Sequence, residues 1–141
     1  VCSNRIVGYA IGRRMKASLA VRALKNALEQ RGYPEGVIVH SDRGGQFRSR
    51  SFQQTLTRYN LRGSMGRVGA CGDNAAMESF FSLLQKNVLD RQPWATREEL
   101  RLAIVHWVEA RYHRKRRQRR LGKLTPIEFE TIMMDAVTLA A

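Results

Sequence analysis

The sequence predicts an α/β fold, a sheet covered by helices. Three observations predict it. Short β-branched runs alternate with amphipathic stretches in the order strand, helix, strand, helix, strand, then helices. The stretches end on recognisable turns or begin on recognisable caps. The composition, 43% hydrophobic and 26% charged over 141 residues, is that of one ordinary folded domain and excludes a disordered tail. Two cysteines, Cys2 and Cys71, are too few and too far apart for a disulfide framework or a cysteine-rich zinc site, so reduced thiols are expected.

Ile6-Val7-Gly8-Tyr9-Ala10-Ile11 is an apolar run between the turn signals Ser3-Asn4-Arg5 and Gly12-Arg13-Arg14, and a buried strand entered from a hairpin is expected over it. Its partner belongs upstream of Val1, as expected for a piece of a longer protein. From Ser18 to Arg31 the apolar positions Val21, Leu24 and Leu28, with alanines between, predict an amphipathic helix stopped by Gly32 and Pro34. Gly36-Val37-Ile38-Val39-His40 predicts a second strand, which runs into Ser41-Asp42-Arg43-Gly44-Gly45-Gln46 and so leaves Asp42 just past its C-terminal end.

Phe52, Leu56 and Tyr59 mark a short helix, and Leu61 to Met65 a brief strand. Residues 66–73 hold three glycines, a loop suited to close approach, with Asp73 or Asn74 capping the next helix. That helix is expected to bury Met77, Phe80, Phe81, Leu84 and Val88. Thr96-Arg97-Glu98-Glu99 is a capping box ahead of a stripe of Leu100, Ile104, Trp107 and Val108, and Thr125-Pro126-Ile127-Glu128 is another with proline at the first helical position.

Charge is the second strong signal. Twenty-five Lys and Arg against 12 Asp and Glu give a formal net charge of +13, which points to a polyanionic partner. Eight of those bases lie between Arg111 and Lys123 with no acid among them. Interrupted by Tyr112 and His113 and flanked by capped helices, the run is expected to act as a phosphate-contacting arm. No apolar run is long enough for a membrane span, so no membrane is expected and the location reads as cytoplasmic. The bland expectations for the histidines are core packing for His40, a helix surface for His106 and phosphate contact for His113.

Asp42 and Glu78 are the candidate metal ligands. Their spacing alone is uninformative, since Asp73 with Glu109 and Glu99 with Asp135 repeat it. Context separates them. Asp42 leaves a strand into a Gly-Gly turn, where ligands gather at strand ends, and Glu78 opens the helix that follows the glycine-rich loop. Carboxylates at a strand end beside a basic surface suit hard divalent cations, and two such ions can hold the attacking and leaving oxygens of a phosphodiester.

At His40-Ser41-Asp42-Arg43-Gly44-Gly45-Gln46-Phe47, Ser64-Met65-Gly66, residues 72–81 and Leu124-Thr125-Pro126-Ile127-Glu128-Phe129, the chain resembles bacterial insertion-sequence transposases with a retroviral-integrase-type catalytic core. The resemblance implies a ribonuclease-H-like mixed sheet flanked by helices, here missing its first strand or strands. It implies a D, D, E triad in which Asp42 corresponds to the second Asp and Glu78 to the Glu, both catalytic and both metal ligands; the first Asp falls upstream of Val1. Two Mg²⁺ or Mn²⁺ ions are expected in the intact enzyme, which cuts the element's ends with metal-activated water and drives a 3′-hydroxyl into another phosphodiester. Arg43, Gly44, Gly45, Asn74, Lys86, Arg114, Arg116, Arg117, Arg119 and Arg120 are the implied DNA contacts. The division expected is a partial core over residues 1–111 and a basic segment with terminal helix over 112–141. Partners are mobile-element ends, target DNA and further copies of the chain, in a bacterial, nucleoid-associated setting. Alternatives are a ribonuclease-H-like nuclease and a non-catalytic DNA-binding or assembly remnant, since without the first Asp the chain alone is expected to be inactive.

Overall fold

Residues 7–75 form one compact unit, and residues 1–6 with 76–141 form another. The computed structural model describes residues 2–66 and 75–140. Within the first unit the elements are α1 (Ala17–Gln30), β1 (Ile38–Ser41), α2 (Gly45–Arg48), α3 (Arg50–Arg58) and β2 (Arg62–Met65). β1 and β2 pair in parallel, with Ile38 opposite Arg62 and Ser41 opposite Met65, so α2 and α3 form the crossover that a parallel pair requires. Among the described residues the sheet has these two strands.

The core of this unit is Leu28 of α1, Phe52 and Leu56 of α3, and Leu61 at the entry to β2, with Val21, Leu24, Val39, Phe47 and Tyr59 packed around them. Each fully buried leucine or phenylalanine contributes about 1.5–3 kcal/mol. α3 is fixed at its start by Ser49, whose hydroxyl accepts from the Phe52 N–H. α1 stops where Gly32 adopts φ +67°, which costs glycine little.

The strand expected at Ile6–Ile11 does not form. Strand geometry needs a neighbour for its backbone groups, and none is present among the described residues. The segment leans instead on α1. The Asn26 side-chain amide donates to the Tyr9 carbonyl at 2.9 Å. At Gly8 a Cβ would lie 2.4 Å from the Ala27 nitrogen and 2.5 Å from the Ala23 carbonyl oxygen, so only glycine permits this approach.

The second unit holds α4 (Ala75–Asn87), α5 (Arg97–His106) and α6 (Pro126–Ala140). α5 runs directly into a π-helical stretch, Trp107–Tyr112, where the His113 N–H reaches back five residues to the Val108 carbonyl. Both capping boxes form. Thr96 Oγ1 accepts from the Glu99 N–H, with Glu99 accepting from the Ala95 N–H, and Thr125 and Glu128 exchange reciprocal bonds. The core is Phe80, Leu84, Val88, Ile104, Val108, Tyr112 and Leu121. Phe80 meets Tyr112 edge-on at 5.4 Å and Trp107 at 6.0 Å.

Three expectations about burial are corrected here. Met77 and Phe81 are exposed, because the face of α4 that meets the aromatic cluster is that of Phe80 and Leu84. His40 is exposed and its ring bonds to the Ser64 hydroxyl across the strand pair, so it is no core residue. His113, expected at the surface, is 1% exposed. His106 lies on the helix surface, as expected. No described helix is long and apolar enough to cross a membrane.

Candidate functional site

Asp42 and its neighbours are positioned by β1. The strand delivers Asp42 into solvent one residue past Ser41, where its Oδ1 accepts from the Gly44 N–H at 2.7 Å. This side-chain turn holds the carboxylate at the strand end, and among the described residues its other oxygen has no hydrogen-bond partner. A Cβ at position 44 would lie 2.8 Å from that Oδ1 and 2.6 Å from the Gln46 side-chain nitrogen, so a larger residue there would push the Asp42 and Gln46 side chains aside. Gly45, which opens α2, faces open space. Arg43 donates from Nε to the Gly66 carbonyl at 3.0 Å, which ties the turn after β1 to the end of β2. Spacing gave no hint of that tether, because it joins residues that only the parallel pairing brings together.

Glu78 stands in the first turn of α4 with its side chain exposed. Lys86 follows eight residues on, in the last turn. Residues 78, 82 and 86 share one face of the helix, so Glu78 and Lys86 are separated by about 12 Å of rise along it. Asp42 and Glu78 belong to different units. Asn74, with Asp73 and Cys71, lies outside the described residues; Cys2 is exposed as a free thiol.

Both carboxylates supply hard oxygen donors, and among the described residues neither makes an ion pair. That donor chemistry fits Mg²⁺ or Mn²⁺, which take carboxylate oxygens and keep waters. Among the described residues no three His, Cys, Asp or Glu side chains gather as a metal-binding group.

The basic run is folded, which corrects the expectation of an arm. Tyr112 and His113 are buried rather than part of a phosphate-contacting surface, Tyr112 against Phe80 and Trp107 and His113 against Tyr112. Beyond them the chain turns, and a bridge between Gln118 and Leu124 closes a tight loop over residues 119–123. Leu121, 3% exposed, anchors this loop, and Gly122 and Lys123 take positive φ to make it. Arg114, Lys115, Arg116, Arg119 and Arg120 stand exposed on the resulting corner. Arg117 is exposed too, but its guanidinium donates to the Lys123 carbonyl and to Glu128. Glu128 is held below the usual carboxylate range by the Thr125 N–H and by Arg117.

A second concentration of charge lies outside the expected run. Arg13, Arg14, Lys16 and Arg22 line one cleft at the start of α1. Its sequence signal is that residues 1–28 contain six bases and no acid.

The sequence matches two family models, each described as integrase core domain, over residues 1–71 and 59–126. It is 43% identical over 128 residues to the transposase InsF for insertion sequence IS3A of Escherichia coli (strain K12), covering 91% of this chain and 44% of that protein. It is 40% identical over 129 residues to an uncharacterized 31 kDa protein of insertion element IS600 from Shigella sonnei, covering 92% of this chain and 47% of that one. The chain thus spans a little under half the length of these curated relatives. A chain in the simian T-cell lymphotropic virus intasome, solved in complex with PP2A regulatory subunit B56 gamma, matches with a TM-score of 0.52 at 21% identity, over 67% of this chain and 35% of that chain. The strand end bearing Asp42 and the opening of α4 bearing Glu78 lie within the matched segments, and the chain belongs to the integrase core domain family.

Proposed function

We propose that this chain is part of a transposase of the insertion-sequence type, which moves DNA by metal-dependent polynucleotidyl transfer on a ribonuclease-H-like fold. The observation that carries the reading is Asp42. It is an exposed carboxylate at the C-terminal end of a parallel strand, oriented by Gly44, within the segment matching the integrase core model. Family membership and the identity to transposase InsF support the same reading.

In this proposal Asp42 and Glu78 hold Mg²⁺ or Mn²⁺, two ions in the intact enzyme, together with an Asp from a strand upstream of Val1. The bound ions supply charge for the pentavalent phosphorus and lower the pKa of the attacking hydroxyl. Gly44 orients Asp42 through its N–H, and the open space in front of Gly45 suits an approaching phosphate backbone. Arg43, Asn74, Lys86 and the corner formed by Arg114, Arg116, Arg117, Arg119 and Arg120 position DNA, of which Arg117 has the smallest share because Glu128 already engages it. The intact protein assembles as a homo-oligomer on element ends and target DNA, in a bacterial cytoplasm and close to the nucleoid.

The test is a strand-transfer assay on element-end DNA with a protein that joins this chain to an upstream strand carrying an Asp. Mg²⁺- or Mn²⁺-dependent joining is expected, falling at least about 10²-fold with Asp42→Asn or Glu78→Gln. The 141-residue chain alone is expected to give none. Equal transfer by the substituted proteins would remove Asp42 and Glu78 from the metal site.

A further inference from the structure

We propose that the cleft at the start of α1, lined by Arg13, Arg14, Lys16 and Arg22, is a second docking surface for the phosphate backbone of duplex DNA. The proposal rests on the DNA-acting function above and adds a contact region that the basic run does not include. The cleft has a volume of about 620 Å³, and its four bases are joined in the lining by Ser18 and Leu19. All four basic side chains are exposed, and among the described residues none pairs with an acid.

Crowding four like charges into one cleft costs electrostatic energy in the free protein, and nothing nearby in sequence offsets it. The nearest acid along the chain is Glu29, seven residues beyond Arg22. α1 itself opens here with no acidic residue in its first turn. Such an arrangement is repaid when a polyanion displaces its counterions onto these side chains. At Gly12 a Cβ would come within 2.9 Å of Leu19 Cδ1, so the backbone before α1 packs against the Leu19 side chain.

The chemistry of the lining points to a backbone rather than a small ligand. Long exposed cations around an open cleft contact phosphates from outside, and the lining offers little neutral polar surface for reading base edges. Sequence-independent binding with a steep salt dependence follows.

The experiment measures affinity of the chain for a random-sequence duplex by fluorescence anisotropy across a salt series. The fourfold variant Arg13→Gln, Arg14→Gln, Lys16→Gln, Arg22→Gln is expected to flatten the slope of log K against log salt by about 2–4, and single Arg14→Gln and Arg22→Gln each by about 1. The single variants read the same quantity should the fourfold protein fail to fold. A matched pair outside the cleft, Arg50→Gln with Arg97→Gln, is expected to leave the slope almost unchanged; an equal effect there would reduce the result to bulk charge and overturn the proposal. If neutralising Arg114, Arg116, Arg119 and Arg120 flattens the slope and the cleft variants do not, the cleft plays no part while the DNA reading stands. If neither set alters it, the DNA reading itself fails. A loss confined to binding of phosphatidylserine vesicles, with DNA binding intact, would also overturn the proposal.

Discussion

His113 joins the N-terminal residues to the helical unit through both ring nitrogens. Nε2 accepts from the Ile6 N–H at 3.0 Å, which leaves the ring proton on Nδ1, 3.1 Å from Glu109 Oε2. Burial is the main influence on this ring and holds its pKa below 6.5, against the upward pull of Glu109. A histidine whose folded pKa is lowered binds fewer protons when folded. Its contribution to stability is therefore fully present above 6.5 and is lost as pH falls through the lowered folded value. Protonation also removes the lone pair that receives the Ile6 N–H. The Ile6 amide is accordingly expected to lose protection from hydrogen exchange, relative to its intrinsic rate, as pH drops from about 7.5 to about 5. The His113→Gln variant should lack that dependence. Protection that stays constant across the range would show that the ring does not titrate there. Ser3 and Arg5, both bonded to Glu130, hold the same segment from a second side, so the loss is expected to be local.

At the scale of elements, the segment leading to α1 depends on one close approach. Because a Cβ at Gly8 would overlap backbone atoms of Ala23 and Ala27, no side-chain rotation relieves it. Gly8→Ala is expected to destabilise the chain by about 1–3 kcal/mol, read as a lower urea midpoint, whereas Ile38→Thr on the exposed β1 should change it by less than about 0.5 kcal/mol. An unshifted midpoint for Gly8→Ala would mean that residues 7–11 do not press on α1. This segment also marks where sequence stops being informative. Helix starts and stops were legible at Thr96, Thr125 and Gly32, since caps are made by residues within one turn of each other. Asp42 was legible as a strand-end carboxylate for the same local reason. Ile6–Ile11 was not, since an apolar run becomes a strand only when a distant partner pairs with it. Tyr112 continues the Ile104 and Val108 stripe at i+4 spacing and the π-helical stretch adds His113 to the buried side, a pattern that the dense run of bases around them hides. The tie from Arg43 to Gly66 depends on strand register, which local pattern does not specify.

The whole molecule carries a net charge of +13, and fourteen of its 25 bases fall in two acid-poor stretches, six in residues 1–28 and eight in 111–123. The consequence for stability differs from the consequence for binding. Like charges repel in the folded chain more than in the expanded one, so screening should stabilise the fold. Raising ionic strength from about 0.02 M to about 0.2 M is expected to raise the melting temperature by a few degrees, because the Debye length falls from about 20 Å to below 10 Å. Duplex DNA at low salt should raise it further, since a ligand bound only by the folded state adds RT ln(1 + [L]/Kd) to stability. The two effects then oppose one another. Added salt removes the repulsion that DNA relieves, and it also weakens the binding through which DNA acts, so the increment due to DNA should shrink steeply as salt rises. Melting curves on a grid of salt and DNA concentrations separate the terms. An increment from DNA that is the same at both ends of the salt range would mean that contacts other than phosphate neutralisation dominate, which would count against both basic surfaces as the place where DNA is held.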